Sequence, residues 1–123
     1  MGKSNKYPTI VPYLILPKAS EFLKFAKEVF DAQELFKTMP NPGTIQHAEI
    51  KIGDSIIMFA DQTEKFSAQP AGLTVHLTNV DETFKKAVKA GATVVMEITD
   101  QQYGRSGGVK DPFGNTWWLM SAR

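Results

Sequence analysis

Hydrophobic and polar residues follow two periods along this chain, and the order of the periods predicts its secondary structure. The segment from Tyr7 to Leu16 is rich in β-branched and aromatic residues, which predicts a first strand. Its two prolines place that strand at a sheet edge, because proline has no backbone N–H to donate. Helical spacing of the next apolar residues predicts an amphipathic helix with the stripe Phe22, Phe25, Ala26, Val29 and Phe30.

Three more strands are predicted in the first half, over residues 34–38, 44–52 and 55–60. Gly53-Asp54 joins the last two as a two-residue hairpin turn, because both residue types tolerate the positive φ that such a turn requires. The polar stretch from residue 61 to 70 is interpreted as a linker between two halves.

The second half repeats the same order of elements. A strand over residues 72–77 precedes a helix with Phe84, Ala87 and Val88 on its buried face. Asp81 is the predicted N-cap of this helix, and Gly91 is placed to end it. Strands are predicted over residues 93–98, 107–110 and 116–120, so the pattern is βαβββ twice and the fold class is α+β.

Composition favours an ordinary folded domain without a charged partner. The chain has 123 residues, of which 42% are hydrophobic and 22% charged, so we expect one domain over residues 1–123. A formal net charge of +1 predicts no nucleic acid partner and no membrane surface. The absence of cysteine excludes disulfides and thiolate chemistry, and no apolar stretch fits a leader or a membrane span, so a cytoplasmic location is expected.

Three segments resemble the vicinal oxygen chelate superfamily of glyoxalases, bleomycin resistance proteins and dioxygenases, and its PhnB-like branch in particular. They are residues 11–16 with the helix that follows, residues 47–55, and residues 107–117, which contain Asp111-Pro112-Phe113-Gly114-Asn115. The resemblance implies two βαβββ modules, residues 7–62 and 70–123, that form a partial-barrel sheet. Helices would lie on its convex side and a ligand cleft on its concave side. It also implies a homodimer.

The resemblance further allows a test for the superfamily's metal site. Its metal enzymes carry His, Gln or Glu at four strand positions, which fall here on Val11, Met58, Gly72 and Trp118. None of these is an ordinary ligand for a hard cation. We therefore expect neither metal nor other cofactor, and a cleft that apolar side chains either line or fill.

Polar residues on the strands give the candidate chemistry. Strand alternation directs Thr74 and His76, and likewise His47 and Glu49, to the cleft side. A histidine oriented by a carboxylate can act as a general base. The same His47, Glu49 and His76 are alternatively a displaced metal site, or structural residues that face solvent or a dimer partner.

Residues 100–105 resemble a polar loop at the cleft mouth of relatives. Arg105 there is a candidate for holding an anionic ligand group, with a surface position or a pair with Asp111 as alternatives. Tyr103 is a candidate gate over the cleft.

Three functional hypotheses follow from these residues. The first is a protein that binds a small, partly apolar molecule in a metal-free cleft. The second is an enzyme, either a lyase or isomerase with His76 or His47 as base or a glyoxalase-like enzyme with displaced metal ligands. The third is a structural domain without a ligand.

Overall fold

The computed structural model describes residues 7–122, in two compact units that divide between Gln69 and Pro70. The polar start of the chain, residues 1–6, lies outside this range. Each unit holds four strands and one helix in the order βαβββ, so the predicted α+β class and the repeated module are confirmed. Each four-stranded sheet is open, and neither described helix has the length and apolar character needed to cross a membrane.

The two units share one topology. The elements of the first unit are β1 (Tyr13–Leu16), α1 (Ala19–Phe30), β2 (Gln33–Thr38), β3 (His47–Ile52) and β4 (Ser55–Asp61). Those of the second are β5 (Gly72–His76), α2 (Val80–Lys89), β6 (Thr93–Gln101), β7 (Gly104–Lys110) and β8 (Thr116–Ala122). Strand orders are β1-β4-β3-β2 and β5-β8-β7-β6, and the first and last strands of each unit pair in parallel.

Helix α1 buries the predicted apolar stripe against one face of its sheet. The Phe22 ring lies 4.9 Å from that of Phe59 in an edge-to-face arrangement. Asp61 fixes the start of the helix, because its Oδ1 accepts from the Ala19 N–H at 2.9 Å and its Oδ2 accepts from the Ile45 N–H at 2.7 Å. Asp61 is also the last residue of β4, so the prediction that it begins a linker was wrong.

Helix α2 starts and faces differently from the prediction. Its N-cap is Asn79, whose side chain accepts from the Glu82 N–H at 3.2 Å, and not Asp81. The buried residues are Val80, Thr83 and Ala87, while Val88 is exposed and Phe84 half-buried. These buried residues are spaced i, i+3, i+7 and form one helical stripe. That stripe is rotated about the helix axis relative to the predicted one.

Several strand ends also differ from the prediction. Strand β1 begins only at Tyr13, after two prolines that cannot donate to a ladder, and β3 begins at His47 instead of Thr44. Residues 100–105 are not a loop: Gln101 pairs with Gly104, which makes Gln102-Tyr103 the turn of a β6–β7 hairpin. Polar residues without apolar alternation concealed this hairpin, because strand prediction relies on that alternation.

The turn between β7 and β8 is a buried hydrogen-bond network built around Asp111. The Asp111 Oδ1 accepts from the backbone N–H groups of Phe113 and Asn115, both at 2.9 Å. Its Oδ2 accepts from Asn115 Nδ2 and Trp117 Nε1, both at 2.8 Å. Asn115 in turn accepts from the Ala71 N–H at 2.9 Å, which ties the turn to the residue before β5. These residues, which carried much of the resemblance, stabilise the fold of the second unit.

Candidate functional site

The open face of the first sheet, which is turned away from α1, carries a polar cluster. Glu49, Met58 and Tyr13 lie side by side in the register of β3, β4 and β1. Their neighbours Ala48 and Phe59 are fully buried towards the helix, so strand alternation directs these three to the opposite face. The sheet thus gathers four hydrogen-bonded side chains, which we call the His47 cluster: His47, Glu49, Tyr13 and Tyr7.

The hydrogen bonds of the His47 cluster converge on the Glu49 carboxylate. His47 Nε2 lies 2.9 Å from Glu49 Oε2, and Tyr7 donates its hydroxyl to Glu49 Oε1 at 2.6 Å. Since a carboxylate only accepts, the Nε2 of His47 carries the hydrogen of that bond. In the neutral ring Nδ1 then accepts from the Tyr13 hydroxyl, which lies 3.0 Å away.

Burial and contact with Glu49 raise the pKa of both phenols of the cluster. Glu49 is 9% exposed. Partial burial and the charge of Glu49 raise the pKa of Tyr13. The hydrogen bond to Glu49, followed by burial, raises the pKa of Tyr7. Both phenols therefore stay protonated at neutral pH and serve as hydrogen-bond donors.

Sequence reasoning found half of this cluster. Strand alternation and the short spacing of His47 and Glu49 predicted that they share a face, and the structure brings them into contact. It missed Tyr13, although Tyr13 lies in register with Met58 and alternation from Leu14 would have placed it on the open face. It missed Tyr7 because that residue precedes β1 and reaches Glu49 only through the tertiary fold.

The open face of the second sheet carries an exposed indole. Trp118 is 39% exposed and lies in register between Thr74 on β5 and Gly108 on β7. A Cβ on Gly108 would stand 2.7 Å from the indole ring, so the ring lies directly on the glycine backbone. His76 lies two residues further along β5, opposite Met120, and its side chain makes no hydrogen bond or ion pair within residues 7–122.

Ser106 adds a polar group to the same face. It lies opposite Met120, and two residues along β7 from Gly108. Its hydroxyl is buried and has no hydrogen-bond partner in the described part of the chain. An unpaired buried hydroxyl is uncommon, because its lost hydration is not offset.

The four positions of the superfamily's metal site do not fit a hard cation. Val11 precedes β1, and Gly72 lies opposite Thr116 at the start of β5. The residues that lie beside Met58 and Trp118 are instead Tyr13 and Thr74. Neither the thioether nor the indole N–H offers an oxygen or imidazole ligand. Within the described range, no three His, Cys, Asp or Glu side chains are grouped for a metal.

Arg105 is engaged by two carboxylates of its own unit. Its Nε and Nη2 donate to the two Asp81 oxygens at 2.7 and 2.9 Å, and its Nη1 donates to Asp100 at 3.1 Å. These bonds raise the pKa of Arg105, and the bond from Arg105 lowers the pKa of Asp81. The alternative pair with Asp111 was wrong, because that carboxylate is buried within its turn. Tyr103, the candidate gate, is exposed in the β6–β7 turn.

A surface depression of about 650 Å³ lies elsewhere, along the outer side of α1. It lies apart from the His47 cluster, because α1 covers the opposite face of the first sheet. The lining residues are Ser20, Leu23, Lys24, Lys27 and Glu28.

Known proteins resemble this chain over nearly its whole length. The Mycobacterium bovis protein Mb0911c is 36% identical, over 94% of this chain and 84% of that protein. The crystal structure of TioX from Micromonospora sp. ML1 superposes with a TM-score of 0.75 at 25% identity, covering 94% of this chain and 97% of TioX. A PhnB protein from Bacillus cereus gives 0.72 at 21% identity, over 94% and 100%. The sequence profile of one family matches residues 11–119. The chain belongs to the glyoxalase/bleomycin resistance protein/dioxygenase superfamily.

Proposed function

We propose that this protein binds a small, partly apolar molecule on the open face of its second sheet, against Trp118. The observation that carries the proposal is the exposed indole packed against Gly108. A side chain at position 108 would displace the ring, so glycine there keeps a planar apolar surface open. Planar apolar surfaces of this kind stack well with aromatic or conjugated ligands.

A hydroxyl beside the indole supports the proposal. Ligand sites combine an apolar lining with a few polar groups that fix orientation. Thr74 is exposed next to Trp118 and offers its hydroxyl to a bound molecule. The name of the family includes bleomycin resistance proteins, which agrees with binding of a small molecule.

Tryptophan fluorescence tests this proposal directly, because the chain has two tryptophans in different environments. Trp117 is buried and bonded to Asp111, whereas Trp118 is exposed. Titration with a library of small aromatic and heteroaromatic compounds should give saturable quenching in the wild type and none in W118F. Val88→Ala, which removes an exposed apolar residue on α2, is the matched control and should bind like the wild type. Quenching that persists in W118F, or no saturable compound in the library, would contradict the proposal.

A second candidate function is a lyase or isomerase with His47 as its base. The contact between His47 and the buried Glu49 favours it, because a carboxylate stabilises the imidazolium that forms when the ring takes up a proton. His47→Gln should abolish proton-transfer activity, and His76→Gln is the matched control, since His76 is an exposed histidine without a described partner. Equal activity in the two variants would refute this candidate.

A further inference from the structure

We propose that Tyr13 is the catalytic residue that contacts the substrate in this second candidate function, and that His47 relays its proton. The inference rests on the proposed role of His47 as base. The reacting group is then a phenol, and the substrate class is small, partly apolar molecules that release a proton from carbon.

Accessibility within the His47 cluster carries the assignment. Both ring nitrogens of His47 are occupied, at 2.9 Å from Glu49 and 3.0 Å from the Tyr13 hydroxyl. A substrate could reach either nitrogen only by breaking one of these bonds. Tyr13 is the most exposed member of the cluster, with 46% of its surface accessible. Its hydroxyl oxygen keeps a lone pair for an incoming proton while it donates to His47.

The relay allows a neutral phenol to act as a base. The substrate C–H proton passes to the Tyr13 oxygen as the phenolic proton moves to His47 Nδ1. In an elimination, the C–H electron pair forms a new π bond, a leaving group departs with its bonding electrons, and His47 gives up its extra proton to the leaving group or to water. In the isomerisation of an unsaturated substrate, the C–H electron pair forms a new π bond as the existing π bond breaks, and the electron pair of the broken bond takes up the proton that the reversed relay returns. Elimination and isomerisation both balance without a co-reactant.

Two features of the cluster fit this step. The imidazolium that forms is held by the Glu49 carboxylate, which Tyr7 fixes from its other oxygen. Burial and the Glu49 charge raise the pKa of Tyr13, so a free tyrosinate is not the reactive form and transfer to His47 is required. Met58 lies in register beside Tyr13 on the same face, where its side chain would contact the apolar part of the substrate.

The probe for the experiment is 5-nitrobenzisoxazole, a small aromatic carbon acid. A base removes its ring C–H proton, the N–O bond breaks, and a coloured nitrile phenolate forms. Tyr13→Phe and His47→Gln should each lower kcat/KM about 100-fold or more, in the range typical of general acid–base catalysis. The double variant should lose no more than either single one, because the two residues act as a unit. Val88→Ala, at an exposed position on α2, should keep the wild-type rate.

The outcomes separate the inference from the function on which it rests. Loss of activity in H47Q with full activity in Y13F would overturn the assignment of Tyr13 alone. A wild-type rate equal to that of both variants would overturn the enzyme proposal as well. Nitrogen-15 NMR tests separately the hydrogen bond on which the relay depends. Y13F should change the Nδ1 chemical shift of His47 and leave His76 unchanged, and an unchanged His47 shift would also overturn the relay.

Discussion

Replacement of Asp111 by alanine should destabilise the protein severely. The carboxylate is 4% exposed and accepts four hydrogen bonds, two from backbone N–H groups and two from side chains. Each buried donor left without a partner costs about 1–3 kcal/mol, although water entering the new space recovers part of that. We expect a loss of about 4 kcal/mol in the free energy of unfolding, at the upper end for a single substitution.

Urea unfolding followed by circular dichroism measures this loss. Asp54→Ala is the matched control, because Asp54 is exposed in the β3–β4 turn and its side chain meets only Ser55 within the described residues; it should change stability by less than about 0.5 kcal/mol. The emission of Trp117 should also change in D111A, since its indole loses its acceptor. A loss below about 1 kcal/mol in D111A would refute the structural role given to this network.

Two further substitutions have predictable effects. Gly108→Ala places a Cβ 2.7 Å from the Trp118 ring, so it should lower the free energy of unfolding by about 1–3 kcal/mol and shift the tryptophan emission. Gly72→Ala is the control, because its Cβ meets nothing within 4 Å, and it should lower the free energy of unfolding by less. Equal melting temperatures of the two variants would contradict the packing of Trp118 on Gly108. Because Arg105 lowers the folded-state pKa of Asp81 below its unfolded value, their bond stabilises the protein above the unfolded pKa and is lost as pH falls through the folded one. D81N should flatten the acid side of the curve of melting temperature against pH, and an unchanged slope would refute this linkage.

The sequence predicted those features that depend on local periodicity. Helix α1 follows from the spacing of Phe22 to Phe30, and the β3–β4 hairpin follows from Gly53-Asp54, where Gly53 has a φ of 59°. The β6–β7 hairpin was missed because residues 99–105 carry no apolar alternation. Asn79 and Asp81 are both competent caps, and only the position of α2 on its sheet decides between them.

The candidate site was predictable only where it depends on a single strand. Alternation along β3 was sufficient for His47 and Glu49. Tyr7 joins them through tertiary contacts that no local pattern encodes. Val11 and Gly72 were assigned from the family pattern and stay predictions, while the cross-strand neighbours of Met58 and Trp118 are Tyr13 and Thr74.

The most direct test of the proposed binding function is an NMR titration of the two indole N–H groups. With a compound that quenches the wild-type fluorescence, the Trp118 signal should move in a saturable way. The Trp117 signal, whose N–H is bonded to buried Asp111, should stay within a linewidth of its starting position. Movement of Trp117 alone, or of neither signal at saturation, would contradict binding on the open face of the second sheet.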